Sequence, residues 1–247
     1  MLSGIFVLPG LAVGITGSSV WLAFLVAALC ILPAVLSKSE LGTAMPKSGG
    51  TYVYIERAFG PLFGTIAGIG LWLSLLLKSA FSLVGLSFYL YVVVNIDESY
   101  TRAIALLALL LIVLLNIFGL KKVEKTQLFI VSISIISLIV IVALGFSSFD
   151  TKLTEPVFID GGHGFIAGVA FLYISYAGVT KIAAIAGEIK NPAKNLPLTM
   201  IISLFLITTI YCLVALVLVG NVEASILATD IKPIHTLFQT IGGETFG

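Results

Sequence analysis

The chain has 247 residues, of which 59% are hydrophobic and only 10% are charged, and its formal net charge is +1. Soluble domains carry about 25% charged residues, so this composition excludes a soluble globular protein and indicates a polytopic membrane protein. The small net charge also excludes a basic surface for nucleic acid. The two cysteines lie inside hydrophobic runs and the two histidines are far apart, so no metal-ligand spacing is present.

Hydrophobic runs predict about seven membrane spans in chain order. They are expected at about 3–15 (a partial span), 20–36, 62–94, 103–120, 127–146, 165–187 and 198–219. The stretch after residue 221 is expected to form an external loop with a short helix. The first run has no basic segment or A-x-A site, so we do not expect a signal peptide. Both ends of the chain are expected to be cut.

Lysine and arginine are distributed unevenly between the connections. The loops after spans two, four and six hold eight of them, namely Lys38, Lys47, Arg57, Lys121, Lys122, Lys125, Lys190 and Lys194. The other connections hold three, namely Arg102, Lys152 and Lys232. The positive-inside rule therefore predicts that the first set of loops is cytoplasmic. We expect a multi-pass protein of the cell membrane.

The first and sixth spans are both interrupted by residues that a lipid-facing helix avoids. Residues 3–6 (SGIF) precede Pro9-Gly10, and residues 173–180 (YISYAGVT) combine aromatic rings, hydroxyls and a glycine. Each break taken alone fits ordinary close packing of helices. The two breaks occupy equivalent positions of a five-plus-five inverted repeat, however, and such pairs indicate a transporter binding site. Amides freed at Gly4 would suit a carboxylate.

Two lysines lie inside predicted spans. Lys78 is near the centre of the third span, about 20 Å or more along the helix from either interface. We therefore predict that it faces the bundle interior and has a functional role, with a structural hydrogen bond as the alternative. Lys181 lies nine residues before Lys190, and we expect its side chain to reach the interface.

Three motifs carry a family resemblance over residues 3 to about 200. These are SGIF with LPG at residues 3–10, ELG through PKSGGTYVY and FGP at residues 40–61, and EIKNP with NLP at residues 188–197. In order and spacing they resemble amino acid permeases of the amino acid–polyamine–organocation (APC) superfamily. The resemblance implies an all-α polytopic membrane protein with the five-plus-five inverted-repeat (LeuT-like) transporter fold, incomplete here, with spans one and six broken.

The resemblance also implies the domain organisation. Residues 1–247 would form a single truncated transporter domain. Residues 1–146 would be a first repeat that lacks the start of helix one, and residues 165–247 would be the start of the second repeat. The eighth span, which contributes to the sodium site of many relatives, lies outside this sequence.

A substrate site between the two breaks is implied in the same way. The substrate carboxylate would meet Ser3 and the amides of Gly4 and Ile5, and the α-ammonium would meet carbonyls around Ile174 and Ala177. Alignment of the third span places Lys78 and Ser79 beside the pocket, and Thr180 stands where some relatives have a gating acid. The predicted substrate-binding residues are Ser3, Gly4, Ile5, Lys78, Ser79, Ile174, Ser175, Ala177, Gly178 and Thr180, and the predicted gating residues are Phe6, Tyr52, Tyr173 and Tyr176.

The function implied is secondary active amino acid transport by alternating access, with the substrate held at the membrane midplane. Some relatives couple protons through a lysine in the fifth span, where Ser132 and Ser134 stand here. Lys78 is our hypothesised replacement, and the choice between proton and sodium coupling stays open. The expected partners are a small amino acid and the lipid bilayer, without nucleic acid, and homo-oligomer formation stays open. No catalytic residue, metal or other cofactor is expected.

Two alternatives remain at this point. One is a polyamine or organic-cation exchanger, which a charged Lys78 disfavours because it would repel a polycation. The other is a non-transporting membrane sensor or scaffold that keeps the permease fold. A membrane enzyme is disfavoured, since the spans contain no acid–base pair.

Overall fold

The computed structural model describes residues 4–94, 100–117, 120–155, 157, 161–230 and 232–242. Within these ranges the chain is helical and contains no β-strand. The α-helices are α1 Leu8–Thr16, α2 Val20–Ala44, α3 Thr51–Phe59, α4 Pro61–Val94, α5 Thr101–Ile117, α6 Leu120–Ser147, α7 Gly161–Tyr176, α8 Pro192–Asn221, α9 Ala224–Leu227 and α10 Pro233–Gly242. Shorter 3-10 stretches cover Gly17–Ser19, Thr151–Thr154 and Val179–Glu188.

The helices confirm the prediction of an all-α, multi-pass membrane protein. Among the described residues, five stretches are long and apolar enough to cross a bilayer. They are Leu8–Ala44, Pro61–Leu86, Lys125–Ser147, Gly161–Glu188 and Pro192–Asn221. The first two predicted spans lie in one of these stretches because the 3-10 turn Gly17–Ser19 joins α1 to α2. A shorter apolar helix covers Arg102–Leu114.

The chain divides into two compact units. The first contains Ser3–Leu71 and Ile141–Gly247, and the second contains Trp72–Val140. Both broken spans belong to the first unit, whereas Lys78 belongs to the second. The predicted division into repeats at 1–146 and 165–247 stays a prediction.

The core of the first unit is built where α2 packs against α7 and α8, with α1 against α7. Three buried rings meet there, since the centroid of Phe24 lies 6.5 Å from that of Tyr176 and 5.2 Å from that of Tyr211. The hydroxyl of Tyr176 donates a hydrogen bond of 3.1 Å to the carbonyl of Phe24. A buried phenol needs such a partner, so this bond ties the end of α7 to α2.

The crossing of α1 and α7 depends on a glycine. A Cβ atom placed on Gly168 would overlap Cγ2 of Thr16. Small residues allow helix backbones to approach closely in membranes, where packing rather than the hydrophobic effect holds helices together. Gly168 therefore sets the distance between the two broken spans on this side of the unit.

Candidate functional site

The sixth span is broken where the sequence predicts it. Helix α7 ends at Tyr176, a turn covers Ala177 and Gly178, and the chain continues as the 3-10 segment Val179–Glu188, here called the distal segment. The amide of Ala177 donates to the carbonyl of Ile174 at 3.3 Å, which is a tighter i to i+3 connection than an α-helix makes. The backbone therefore changes helical type in the middle of the span.

Local chemistry explains why the helix stops there. Glycine is about 1 kcal/mol less favourable than alanine in a helix interior, which weakens the α-helix at Gly178. Two residues later, the hydroxyl of Thr180 donates to the carbonyl of Ala177 at 3.1 Å. Such a side-chain bond competes with the backbone bond that an α-helix would make to that carbonyl.

The break in the first span lies immediately before α1. Residues 4–7 form a 3-10 residue followed by a turn, and α1 begins at Leu8 with Pro9 in its first turn. The N-cap residue Val7 makes no side-chain capping bond, so the first amides of α1 receive no help from a cap. Ile5 is fully buried. Ser3, the predicted hydroxyl donor, lies outside the described residues.

The two breaks meet at Gly4 and Ser175. A Cβ atom placed on Gly4 would lie 3.3 Å from Oγ of Ser175 and 3.5 Å from its Cβ. A side chain at this position would require Ser175 to move. Residues that are 171 positions apart in the chain are thus adjacent in space, which is the arrangement that a substrate site between the breaks requires.

The Ser175 hydroxyl is buried without a hydrogen-bond partner among the described residues. The residue is 2% exposed. Serine and threonine within helices of this chain commonly bond to the carbonyl four residues earlier, as Thr208 does to Leu204 at 2.7 Å. A buried polar group left unsatisfied costs about 1–3 kcal/mol, so Ser175 has an unused capacity to bind a polar ligand.

Two backbone carbonyls close to Ser175 in the chain have remaining acceptor capacity. The carbonyl of Ile174 accepts one bond from the amide of Ala177, and that of Ala177 accepts one from Thr180. Each carbonyl oxygen has two lone pairs, so both retain capacity for a second donor such as an ammonium group. Gly178 is buried, while Ala177 and Thr180 are half-buried.

Comparison with known sequences identifies the family. The sequence model described as amino acid permease matches residues 1–247. The chain belongs to the amino acid permease family. This result confirms the resemblance seen in the motifs.

Three relatives show the range of this permease family. The chain is 27% identical to the cationic amino acid transporter 8, vacuolar, of Arabidopsis thaliana, over 90% of this chain and 40% of the relative. It is 27% identical to the serine/threonine exchanger SteT of Bacillus subtilis, over 98% of this chain and 57% of the relative. It is also 27% identical to the branched-chain amino acid permease BcaP of Bacillus subtilis, over 97% of this chain and 56% of the relative. The chain thus spans about half the length of the curated relatives it matches.

The predicted gating residues of the permease have different surroundings. Tyr176 is fixed within the three-ring core, whereas Tyr173 is exposed and Phe6 is half-buried. Tyr52 is exposed on α3, with Cδ2 of its ring 3.1 Å from a Cβ placed on Gly68. A hydrogen bond with Glu56, together with the carboxylate charge, raises the pKa of Tyr52. Their gating roles stay predictions.

Lys78 and Ser79 lie on α4 in the second unit. Lys78 is half-buried, and the exposed Ser79 donates its hydroxyl to the carbonyl of Leu75 at 2.9 Å. The predicted position of these two residues beside the pocket stays a prediction.

Sequence reasoning missed the residues that hold the distal segment. Tyr54 is buried, and its hydroxyl donates to the carbonyl of Ala183 at 3.4 Å. The available signal was the Gly49-Gly50 pair four to five residues earlier, because both glycines have positive φ and turn the chain toward this contact.

Proposed function

We propose that the parent protein is a secondary active transporter that moves amino acids across the membrane by alternating access. Two kinds of observation support this. The family and its named relatives are permeases, transporters and exchangers of amino acids. The first unit brings the interrupted backbone of two spans together, which is the construction that places a polar ligand at membrane depth.

The observation that carries the site is the hydroxyl of Ser175, which lies against Gly4 and has no hydrogen-bond partner in the described part of the chain. In the proposed complex the substrate carboxylate binds the amides of Gly4 and Ile5, and the α-ammonium binds the carbonyls of Ile174 and Ala177. The Ser175 hydroxyl donates to the carboxylate. Hydrogen bonds to charged groups contribute about 1.5–3 kcal/mol each, so a few of them account for recognition of the amino acid backbone.

The direction of insertion is proposed from charge. Eight of the eleven lysines and arginines in the connections considered above follow spans two, four and six. The positive-inside rule assigns these loops to the cytoplasm. Epitope tags in the loop at residues 46–50 and at residues 221–223 should then be accessible from opposite sides of the cell membrane.

Coupling is proposed to depend on Lys78. This lysine lies in an apolar helix of the second unit, where a charged side chain is costly, so a lysine at this position is expected to have a function. Lys78→Met should therefore abolish pH-dependent uptake while leaving the protein folded. Full pH-dependent uptake by this variant would contradict the hypothesis.

The decisive experiment uses the full-length parent in proteoliposomes. Uptake of radiolabelled hydroxylated, branched-chain and cationic amino acids, and of a polyamine, is measured with proton, sodium or counter-substrate gradients. We expect saturable amino acid uptake that is lost in Gly4→Val, because the valine side chain would displace Ser175. Ser147→Ala is the control, since that exposed hydroxyl donates to the carbonyl of Leu144 in its own helix at 2.6 Å.

Two results would overturn the proposal. Uptake of the polyamine but of no amino acid would favour a polyamine or organic-cation exchanger. Folded protein that moves none of the compounds would favour a sensor or scaffold.

A further inference from the structure

A loop from one end of α2 holds the distal segment. Residues 45–50 connect α2 to α3, and the amide of Gly49 donates to the carbonyl of Ala184 at 2.9 Å. On the first turn of α3, the hydroxyl of Tyr54 donates to the neighbouring carbonyl of Ala183 at 3.4 Å. Tyr54 is 5% exposed. Two consecutive carbonyls of the distal segment are therefore bound by the same short stretch of chain.

Glycines lie where the loop and the distal segment approach each other. A Cβ atom placed on Gly50 would lie 3.1 Å from Cα of Ala184, and one placed on Gly187 would lie 3.0 Å from the amide nitrogen of Ser48. Gly42 on α2 completes the arrangement, because a Cβ there would lie 3.1 Å from the Tyr54 hydroxyl. Glycines on both partners thus let the loop and the segment touch through their backbones.

The distal segment needs this support. Its 3-10 hydrogen bonds have poorer geometry than those of an α-helix, and the backbone at Ile185 leaves helical geometry altogether. The segment also follows directly on the turn at Ala177 and Gly178, so no α-helix continues into it from α7. Burial raises the pKa of Tyr54, so its hydroxyl stays protonated and able to donate.

We propose that residues 46–54 form a latch that holds the distal segment shut, and that Tyr54 is the positioning residue that sets how often the latch releases. The inference rests on the proposed alternating access, in which the distal segment moves about the break to open one side of the site. Each hydrogen bond of the latch contributes only a small free energy to the closed state. One net hydrogen bond changes the open-to-closed ratio by about fivefold, so its loss shifts the equilibrium without abolishing the closed state.

The test is amide hydrogen exchange of the purified full-length protein, read on peptides covering Val179–Glu188. Tyr54→Phe should raise exchange there by about fivefold, because local exchange follows the population of the opened segment. Tyr100→Phe is the matched control, since it removes the hydroxyl of an exposed tyrosine at the start of α5. Exchange in Tyr54→Phe equal to wild type would overturn the latch.

A second pair of variants serves if Tyr54→Phe does not fold. Gly50→Ala and Gly60→Ala both place alanine at a positive φ, of 59° and 90°, but only Gly50 has atoms of the distal segment within 4 Å. We expect faster exchange at Val179–Glu188 in Gly50→Ala alone. Equal exchange in the two variants would contradict the latch.

Transport is measured separately on the same samples. If wild-type protein moves no amino acid, the proposed function fails while the exchange data still decide the latch. If wild type transports, Tyr54→Phe should change the maximal rate more than it changes the apparent affinity, because the bound carbonyls at Ala183 and Ala184 lie beyond the substrate contacts.

Discussion

Replacing Ser175 with alanine should stabilise the empty protein and weaken substrate binding at once. The residue is 2% exposed, and its hydroxyl has no hydrogen-bond partner among the described residues. An unsatisfied buried polar group costs about 1–3 kcal/mol, and alanine removes it while leaving most of the side-chain volume. The midpoint of thermal unfolding without substrate should therefore rise.

The same variant loses a donor to the substrate carboxylate. A hydrogen bond to a charged group contributes about 1.5–3 kcal/mol, so the apparent substrate affinity should fall by about 10- to 150-fold. Both quantities come from one thermal unfolding series on the full-length protein, titrated with the transported amino acid. Added substrate stabilises the native state according to its affinity.

Ser19→Ala provides the matched comparison. Ser19 is equally buried, but its hydroxyl donates to the carbonyl of Thr16 at 2.8 Å. Removing it should lower the unfolding midpoint, because a satisfied bond worth about 1 kcal/mol is lost. If Ser175→Ala lowered the midpoint as Ser19→Ala does, Ser175 would be a structural residue and the reasoning about the site would be refuted.

Two further predictions concern packing and titration. Gly168→Ala should prevent the close crossing of α1 and α7, because its Cβ would overlap Thr16, and should therefore lower the yield of monodisperse protein on size-exclusion chromatography. Gly70→Ala should leave that yield unchanged, because a Cβ there meets no atom within 4 Å. Equal yields would argue against the crossing. Glu56→Gln should move the ultraviolet titration of the Tyr52 phenol to lower pH, since the charge that helps to raise its pKa is removed and the neutral amide is a weaker hydrogen-bond acceptor. An unshifted titration would show that the pair does not form.

The break in the sixth span was predictable because its causes are local. Gly178 weakens the helix and the Thr180 hydroxyl takes the carbonyl of Ala177, and both residue types are visible in the sequence. The meeting of Gly4 with Ser175 is different. It follows from the way two distant spans pack, and only the equivalence of the breaks in an inverted repeat suggested it.

Side-chain surroundings were harder to predict. Tyr173 and Tyr176 are both aromatic residues in the same interrupted stretch. Tyr173 is exposed, whereas Tyr176 is fully buried and its hydroxyl donates to the carbonyl of Phe24.

The latch was missed for another reason. Its acceptors are backbone carbonyls of Ala183 and Ala184, and an alanine in a sequence carries no sign that its carbonyl is bound by a loop about 130 residues earlier.

The change of helical type in the sixth span also alters its length. The six residues before the irregular backbone at Ile185 extend about 12 Å at the 3-10 rise of about 2.0 Å per residue, against about 9 Å in an α-helix. Rewinding them into α-helix would shorten this part by about 3 Å and rotate its end by about 120°, because each residue would turn through about 100° instead of about 120°. A change of helical type in the broken span would therefore couple a short translation to a large rotation of the residues that follow.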